Sequence, residues 1–352
     1  MQSVNEWARM NFGTCELGDK RRTQRLVRVA EQIAGNPSAS LSNQTETWGD
    51  LKAAYRLFDC EDVTFEAIAR PHWELTKKLA KGRTLVIGDT TEIDFGRFRE
   101  IEGVGPTGNG TGQGFLLHNA LTVNAHTEEI LGVAGQTIHY RKKQRKSKKL
   151  PTAPQRLKKK NRESEVWGKV IDQIGPPAEG SSFVHVFDRG ADKFEVYCHL
   201  LQQQSDWVIR ACQMHRSVLV GDTEERMPLK AYLPMLEPSG KYTLQLRARP
   251  GKPARNAALE VRIGQVKIPL PQHVSPWVRE LNPSPIAMNV IEVVEVNAPQ
   301  GIEPIRWVLL TSLPVVNFKD AWTMIGYYEL RWLVEEYHKA LKTGCRTESR
   351  QL

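Results

Sequence analysis

The spacing of apolar residues divides the chain into a helical N-terminal part and a longer part that is rich in strands. In residues 1–75, apolar side chains recur every three or four positions, which is the spacing of one helix face. The clearest helix begins after Asp19, a typical N-cap residue, and ends near Gly35 and Pro37. The apolar residues that should form its buried stripe are Leu26, Val29, Ala30 and Ile33.

Short apolar runs typical of β-strands begin near Thr84. The segments RTLVIGDTTEIDF, HNALTVNAH and EILGVAGQTIHY each predict a strand, and ESEVWGKVIDQI predicts a helix. The segment SSFVHVFDRGADKFEVYCHLL predicts a strand, a tight turn and a helix, and DWVIRA predicts a further strand. Two of these strands are expected to end at Asp89 and Asp188, each before a polar turn. The alternation of strands and helices predicts an α/β core.

The last third of the chain changes pattern twice. Residues 212–304 alternate apolar and polar side chains between turn signals, which predicts an antiparallel β insertion. The run PIRWVLLTSLPV then predicts a strand, and YYELRWLVEEYHKALKTG predicts one continuous helix. At about 100° per residue, one face of that helix would carry four side chains within roughly 60°. They are Tyr328, Arg331, Glu335 and Lys342; a salt-bridged surface helix remains an alternative explanation.

Composition and cysteine usage narrow the class of protein. The 352 residues, 40% hydrophobic and 25% charged, are typical of a soluble globular protein with about two or three domains. Neither an apolar run of ~20 residues nor a signal-peptide pattern is found, so we expect no membrane partner. The five cysteines are scattered without CxxC spacing, which favours reduced thiols in a cytoplasm over a zinc or disulfide framework.

The charge distribution favours nucleic acid as the partner. The formal net charge is +9, and residues 130–162 contain no Asp or Glu while Lys and Arg concentrate between Arg141 and Lys160. Such a run can neutralise several backbone phosphates, although a solvated loop would have the same composition. Arginines on the helix after Asp19 lie largely away from its buried stripe. They could contact DNA or only improve solubility.

Three carboxylates suggest a metal-dependent chemistry. Asp89 and Asp188 follow strands of an α/β core, and Glu335 lies on a late helix. Carboxylates brought together repel one another unless cations neutralise them, and oxygen ligands suit Mg²⁺. Two such ions about 4 Å apart can promote phosphoryl transfer on nucleic acid. Each aspartate could instead be a turn residue, and Asp94 and Asp192 are equally suitable by residue type alone.

The spacing Tyr328-x2-Arg331-x3-Glu335-x6-Lys342 resembles the Y-R-E-K signature of bacterial cut-and-paste DDE transposases of the IS-four family, especially the Tn-five transposase group. The segments GDTTEIDF and FDRGAD resemble the family's first and second acidic positions, and the N-terminal helices resemble its end-binding domain. The resemblance implies an RNase H-like α/β catalytic core with a helical N-terminal DNA-binding domain and an antiparallel β insertion. The corresponding segments are 1–75 for DNA-end binding, 76–211 and 305–352 for the core, and 212–304 for the insertion.

The resemblance also implies roles for individual residues. Asp89, Asp188 and Glu335 would be catalytic and hold two Mg²⁺ ions, for which Mn²⁺ can substitute. The residues expected to contact phosphates near the active site are Tyr328, Arg331, Lys342 and Arg210. Trp307 would stack on a flipped base, although a buried strand tryptophan is the alternative. The residues expected to bind the transposon end are Lys20, Arg21, Arg22, Arg25 and Arg28.

The reaction implied by the resemblance is end nicking by water, hairpin formation and resolution, and strand transfer into target DNA. The implied partners are double-stranded DNA, terminal inverted repeats and a second copy of the protein, in a bacterial cytoplasm and associated with the nucleoid. Relatives continue into a C-terminal dimerisation domain beyond the last residues of this chain, so dimerisation on DNA would need that region to be supplied. A synapsis-deficient end-binding protein that represses transposition is therefore an alternative. A general nuclease of the same fold is a third.

Overall fold

The structure, a computed structural model, describes residues 3–98, 101–142, 162–222, 224–248 and 253–349. The chain forms two compact units. The first comprises Met1–Lys146 and Trp332–Leu352, and the second comprises Ser147–Arg331. The mixed α/β class and the helical N-terminal region are as predicted.

Five helices begin the first unit: α1 (Val4–Phe12), α2 (Lys20–Gly35), α3 (Leu41–Gln44), α4 (Trp48–Phe58) and α5 (Phe65–Leu79). The predicted N-cap is confirmed, because the Asp19 side chain accepts a hydrogen bond from the Arg21 backbone N–H. Of the predicted stripe on α2, Leu26 and Val29 are buried, and Leu26 packs with Leu57 of α4. The apolar face of α2 therefore holds the helices together.

The first unit also contains four antiparallel strands: β1 (Arg83–Asp94), β2 (Gly105–Thr107), β3 (Gly112–Asn124) and β4 (Ile130–His139). The prediction that β1 ends at Asp89 is wrong, because the strand continues through the next five residues to Asp94. The long strand β3 supplies partners for that continuation, from His118 opposite Thr90 to Gly114 opposite Asp94. Asp89 therefore lies within a paired strand.

The second unit begins with α6 (Val166–Ile174), β5 (Ser182–Phe187), α7 (Phe194–Gln202) and β6 (Asp206–Arg210), in the order that the sequence predicts. Strands β5 and β6 are parallel. The two helices and this strand pair bury an aromatic-rich core, in which Trp167 packs on Phe187 and Tyr197 on Trp207. Asp188 directly follows β5, as predicted.

Antiparallel strands form the rest of the second unit. They are β7 (Ser217–Val220), β8 (Glu225–Pro228), β9 (Pro238–Leu246), β10 (Arg255–Ile268), β11 (Ile286–Val296) and β12 (Arg306–Thr311). Strand β12 also pairs antiparallel with β6. The short helices α8 (Leu229–Tyr232) and α9 (Pro276–Leu281) join strands, and α10 (Phe318–Glu329) ends the unit. The alternating pattern of residues 212–304 thus forms antiparallel strands.

The prediction of one continuous helix between Tyr327 and Gly344 is wrong. Helix α10 ends at Glu329, α11 spans Trp332–Lys339, and a π-helical turn follows at Ala340–Gly344. In an unbroken helix the buried residues Ala321 of α10 and Val334 of α11 would lie about 140° apart. The break allows each helix to bury its own apolar stripe, and it removes the single face that the 100° spacing predicted.

Candidate functional site

Asp89 and Glu335 are carried by elements that pack together in the first unit. Asn119 of β3 lies directly opposite Asp89 of β1, so both side chains project from the same face of the sheet. Helix α11 packs on β1, and the Asn119 side-chain amide bonds to Nε2 of His338 at 2.9 Å. Glu335 is three residues before His338 and shares its side of the helix. The glutamate therefore lies on the turn next to the contact that fixes α11 beside Asp89.

A chain of buried polar side chains sets the orientation of that contact. The Trp73 indole N–H can only donate, and it donates to Oε1 of Gln136 at 3.2 Å. The Gln136 amide nitrogen must then face Oδ1 of Asn119, at 2.6 Å. The Asn119 amide nitrogen then faces Nε2 of His338, which accepts its hydrogen bond. The donor of Trp73 therefore sets the orientation of the two amides that link it to His338.

Lys342, the last residue of the predicted signature, is held near the end of β1. Its Nζ lies 3.3 Å from Oε1 of Glu348, which also accepts the Asp94 backbone N–H at 3.1 Å. Lys342 belongs to the π-helical turn after α11, and the neighbouring Leu341 packs on the apolar cluster around Ile93. The structure therefore keeps Lys342 in the same unit as Asp89 and Glu335, as an ion-paired and partly buried cation.

Asp188 begins a tight turn in the second unit. It directly follows β5, and its Oδ1 accepts the Gly190 backbone N–H at 2.8 Å. Asp192 differs sharply, because it is fully buried and its carboxylate contacts four donors. Those donors are the Tyr197 hydroxyl, the backbone N–H groups of Cys212 and Gln213, and the Arg216 guanidinium. The structure thus gives Asp192 a packing role that residue type alone could not distinguish.

Trp307 and Arg210 line one cavity of about 270 Å³ in the second unit, since β12 pairs with β6. Nε1 of Trp307 and Nε of Arg210 are buried there without hydrogen-bond partners among the residues that the structure describes. Sequence reasoning missed two further residues of the lining, Arg189 and Arg306. Each is the sequence neighbour of a predicted site residue, Arg189 of Asp188 and Arg306 of Trp307, and this adjacency could have identified them. Three arginines and an indole make this cavity suitable for an anionic, aromatic group.

Tyr328 and Arg331 also belong to the second unit, at and just after the end of α10. Both are half-buried, and the Arg331 backbone N–H bonds to the Tyr328 carbonyl at 3.1 Å as the helix ends. Glu335, in contrast, is exposed on α11 of the first unit. The four signature residues are therefore divided among α10, the break that follows it, α11 and a π-helical turn.

Helix α2 carries the five cations predicted to bind a DNA end, and they fall into two groups. Lys20 and Arg21 are exposed. The others form ion pairs with acidic residues of the same unit: Arg22 with Asp62, Arg25 with Asp50, and Arg28 with Asp50 and Glu46. The Thr47 hydroxyl, followed by Arg25 and Arg28, holds the pKa of Asp50 below its usual value. Arg25 and Arg28 thus also fix α2 against α4, which carries Asp50.

Two parts of the predicted site have a limited structural description. Apart from Arg141, which pairs with Glu92, and Lys142, the basic segment 141–160 lies outside the described residues. Within the described ranges, no three His, Cys, Asp or Glu side chains form a group that could hold a metal ion. Of the three predicted carboxylates, only Asp89 and Glu335 are carried by elements of the same unit that pack on each other.

Comparison with known families adds independent information on the N-terminal helices. Among the described residues, no helix is long and apolar enough to cross a membrane. A family model described as transposase DNA-binding matches residues 4–63, which include α1 to α4 and the cationic helix α2. This similarity supports a transposase role for the protein and DNA as its partner.

Proposed function

We propose that the protein is a DDE transposase that cuts a DNA element at its ends and joins it to target DNA by metal-dependent phosphoryl transfer. The observation that carries the proposal is the match of residues 4–63 to transposase DNA-binding domains. The carboxylates of β1 and α11, positioned through Asn119 and His338, give it chemical support. The terminal inverted repeats would be the recognised DNA.

Asp89, Asp188 and Glu335 would hold two Mg²⁺ ions, with Mn²⁺ as a substitute, because carboxylate oxygens are the donors that these ions prefer. The bound ions would supply charge stabilisation at the reacting phosphate and a more acidic water. Lys342, Tyr328 and Arg331 would contact phosphates near the cleaved end. None of these roles requires a nucleotide cofactor.

The cavity around Trp307 would receive a base that leaves the duplex during hairpin formation. Stacking on the indole, which is worth about 1–3 kcal/mol per base, would offset part of the cost of taking the base out of the duplex. The nearby Arg210 has a buried Nε without a partner among the described residues, so a phosphate oxygen would satisfy it. Arg189 would add positive charge to the same cavity, whereas the guanidinium of Arg306 is ion-paired with Glu292.

The order of reaction is the one that the family resemblance implies. Water attacks the phosphorus at the element end, and the 3′ oxygen leaves as a hydroxyl. That hydroxyl attacks the opposite strand to form a hairpin, water reopens the hairpin, and the 3′ hydroxyl then attacks target DNA. Each step exchanges one phosphodiester or water oxygen for another at phosphorus, so no oxidant or reductant is needed. Two protein copies on two ends would make the cuts concerted.

The test is Mg²⁺-dependent cleavage of a duplex that carries the repeats flanking the gene. We expect cleavage by the unaltered protein and by the control Asp222→Ala, which changes an exposed turn residue of the same unit. Asp188→Ala should abolish cleavage while it retains end binding. Equal cleavage by both variants would refute the assignment of Asp188. Binding of the ends without any cleavage would instead indicate an end-binding protein.

A further inference from the structure

A second cavity, of about 550 Å³, lies in the second unit between the start of α7 and residues 268–274. Its volume is within the range of about 300–1,000 Å³ that is common for small-molecule sites. The cations that line it are Arg162, Lys193, Arg216 and Arg226, and the acid is Glu195. The cavity shares no lining residue with the one around Trp307.

The charges of the lining are incompletely paired. Arg162 is satisfied by Glu165 and Glu195, each at 2.9 Å. Lys193 is half-buried, and its side chain has no hydrogen bond or ion pair among the residues that the structure describes. Burial and the adjacent Arg162 lower its pKa. Glu195 and Glu163 attract this ammonium group, but within the described residues neither forms an ion pair with it, so an anion in the cavity can do so.

Arg216 adds a second unsatisfied donor. Its side chain is 9% exposed and contacts Asp192 at 2.6 Å through Nη2, whereas Nη1 is buried without a partner in the described chain. A buried donor left unpaired is costly, because it has lost its water and gained nothing in exchange. Lys193 and Arg216 both line the cavity, so one anion with several oxygen atoms can serve both groups.

The rest of the cavity wall is apolar, which favours a ligand with an organic part as well as a negative charge. Phe194 is buried against the core, and Leu270 and Val274 pack partly on the same cluster. Pro269 and Pro271 continue this apolar surface. An inorganic phosphate would leave it uncovered, whereas a phosphate ester with a flat organic part would bury it and gain hydrophobic stabilisation.

We propose that this cavity binds a nucleotide, with its phosphate near Lys193 and Arg216 and its base against the wall formed by Phe194, Leu270 and Val274. The nucleotide could be free or part of a DNA strand, and the chemistry of recognition is the same. The assignment is independent of the carboxylate site, so loss of cleavage in Asp188→Ala would not affect it.

The first arm of the test uses calorimetric titration of the full chain with deoxyadenosine monophosphate, inorganic phosphate and deoxyadenosine. We expect the monophosphate to bind more tightly than either of the other two. Lys193→Met should weaken its binding about tenfold or more, since a charge-assisted hydrogen bond is lost. Lys230→Met, which removes an exposed lysine of α8 outside the cavity, should bind as the unaltered protein does.

The second arm measures binding of a short single-stranded oligonucleotide to the same three proteins, with thermal unfolding as a check that each is folded. A selective loss with Lys193→Met in this arm alone would identify a DNA nucleotide as the ligand. A loss in the first arm would identify a free nucleotide. Unchanged binding in both arms, or equal effects of Lys193→Met and Lys230→Met, would overturn the proposal.

Discussion

His185 lies within β5, 1% exposed, and neither ring nitrogen has a hydrogen-bond partner in the described part of the chain. Burial lowers the pKa of this histidine from 6.5 to about 3. The native state therefore remains unprotonated at pH values where the unfolded chain binds a proton. Stability should fall as the pH decreases from 6.5 towards 3, because protons favour the unfolded state.

We predict that protonation of His185 in the unfolded chain lowers the free energy of unfolding by about 2 kcal/mol as the pH falls from 7 to 5. His185→Leu should remove this part of the slope, since leucine does not titrate. Urea unfolding at several pH values measures it, with His215→Leu, an exposed position of the same unit, as the control. The same slope in His185→Leu and the unaltered protein would contradict the prediction.

The cations of α2 illustrate how a residue type can serve two purposes. Arg21 has a side chain that is 91% exposed, with Asp19 as its nearest acid at 3.9 Å. Arg25 instead bonds at 2.9 Å to Asp50, whose side chain is 8% exposed. We predict that Arg21→Ala weakens binding of element-end DNA without changing the melting temperature. Arg25→Ala should lower both the affinity for end DNA and the melting temperature, because it also removes a partner of the buried Asp50 carboxylate.

Fluorescence anisotropy with labelled end DNA and thermal unfolding separate these two effects. Lys52→Ala, an exposed cation on α4, is a suitable control for loss of charge alone. If Arg25→Ala left the melting temperature unchanged, its ion pair with Asp50 would be unimportant for the fold. Arg21→Ala with full DNA affinity would remove Arg21 from the interface.

At the scale of elements, the position of α11 depends on a polar chain that runs from α5 through β4 and β3 to α11. Trp73, Gln136, Asn119 and His338 each use a donor or acceptor that the next residue requires. Asn119 is fully buried, so its loss would remove one hydrogen-bond partner from each of Gln136 and His338. The helix that carries Glu335 would then lose its directional contact with the sheet.

We predict that Asn119→Ala increases amide hydrogen exchange in α11 about tenfold or more, since a lost buried hydrogen bond costs about 1–3 kcal/mol. Exchange in α2 should stay unchanged. Asn109→Ala, at an exposed loop position between β2 and β3, provides the matched control. Unaltered exchange of α11 in Asn119→Ala would show that apolar packing alone holds this helix.

The break between α10 and α11 shows the limit of periodicity at this scale. No glycine or proline occurs from Glu329 to Trp332, so the segment contains no local signal to end a helix. The two helices end where their buried stripes diverge, and that divergence depends on the surfaces against which Ala321 and Val334 pack. The spacing of Tyr328, Arg331, Glu335 and Lys342 remains the basis of the family resemblance, although these residues do not share one helix face.

At the scale of the whole molecule, the net charge of +9 favours association with the phosphates of DNA. Each phosphate contact releases counterions, so the logarithm of affinity falls by about 0.9 for each contact per unit change in the logarithm of salt concentration. We predict that simultaneous replacement of Lys158, Lys159 and Lys160 by glutamine reduces this slope by up to about 3. Anisotropy titrations over a range of salt concentrations provide the measurement.

The matched control for that triple variant replaces three exposed lysines elsewhere: Lys52, Lys81 and Lys230. Both variants lose the same charge, so a difference between their slopes reports contact with DNA and not the overall field. Equal slopes in the two variants would show that the basic segment between Arg141 and Lys160 remains outside the DNA path.

The sequence alone was sufficient for features that depend on neighbouring residues. Caps and apolar spacing are local, so they identified α2 with its cap Asp19, the strand before Asp188, and the antiparallel pattern after Cys212. The partners of individual side chains depend instead on residues far apart in the chain. Only the tertiary structure could join Asn119 to His338, 219 positions away, or pair Arg25 with Asp50. It also decided where α10 ends and which arginines surround Trp307, because burial and pairing energies are settled only when distant segments pack.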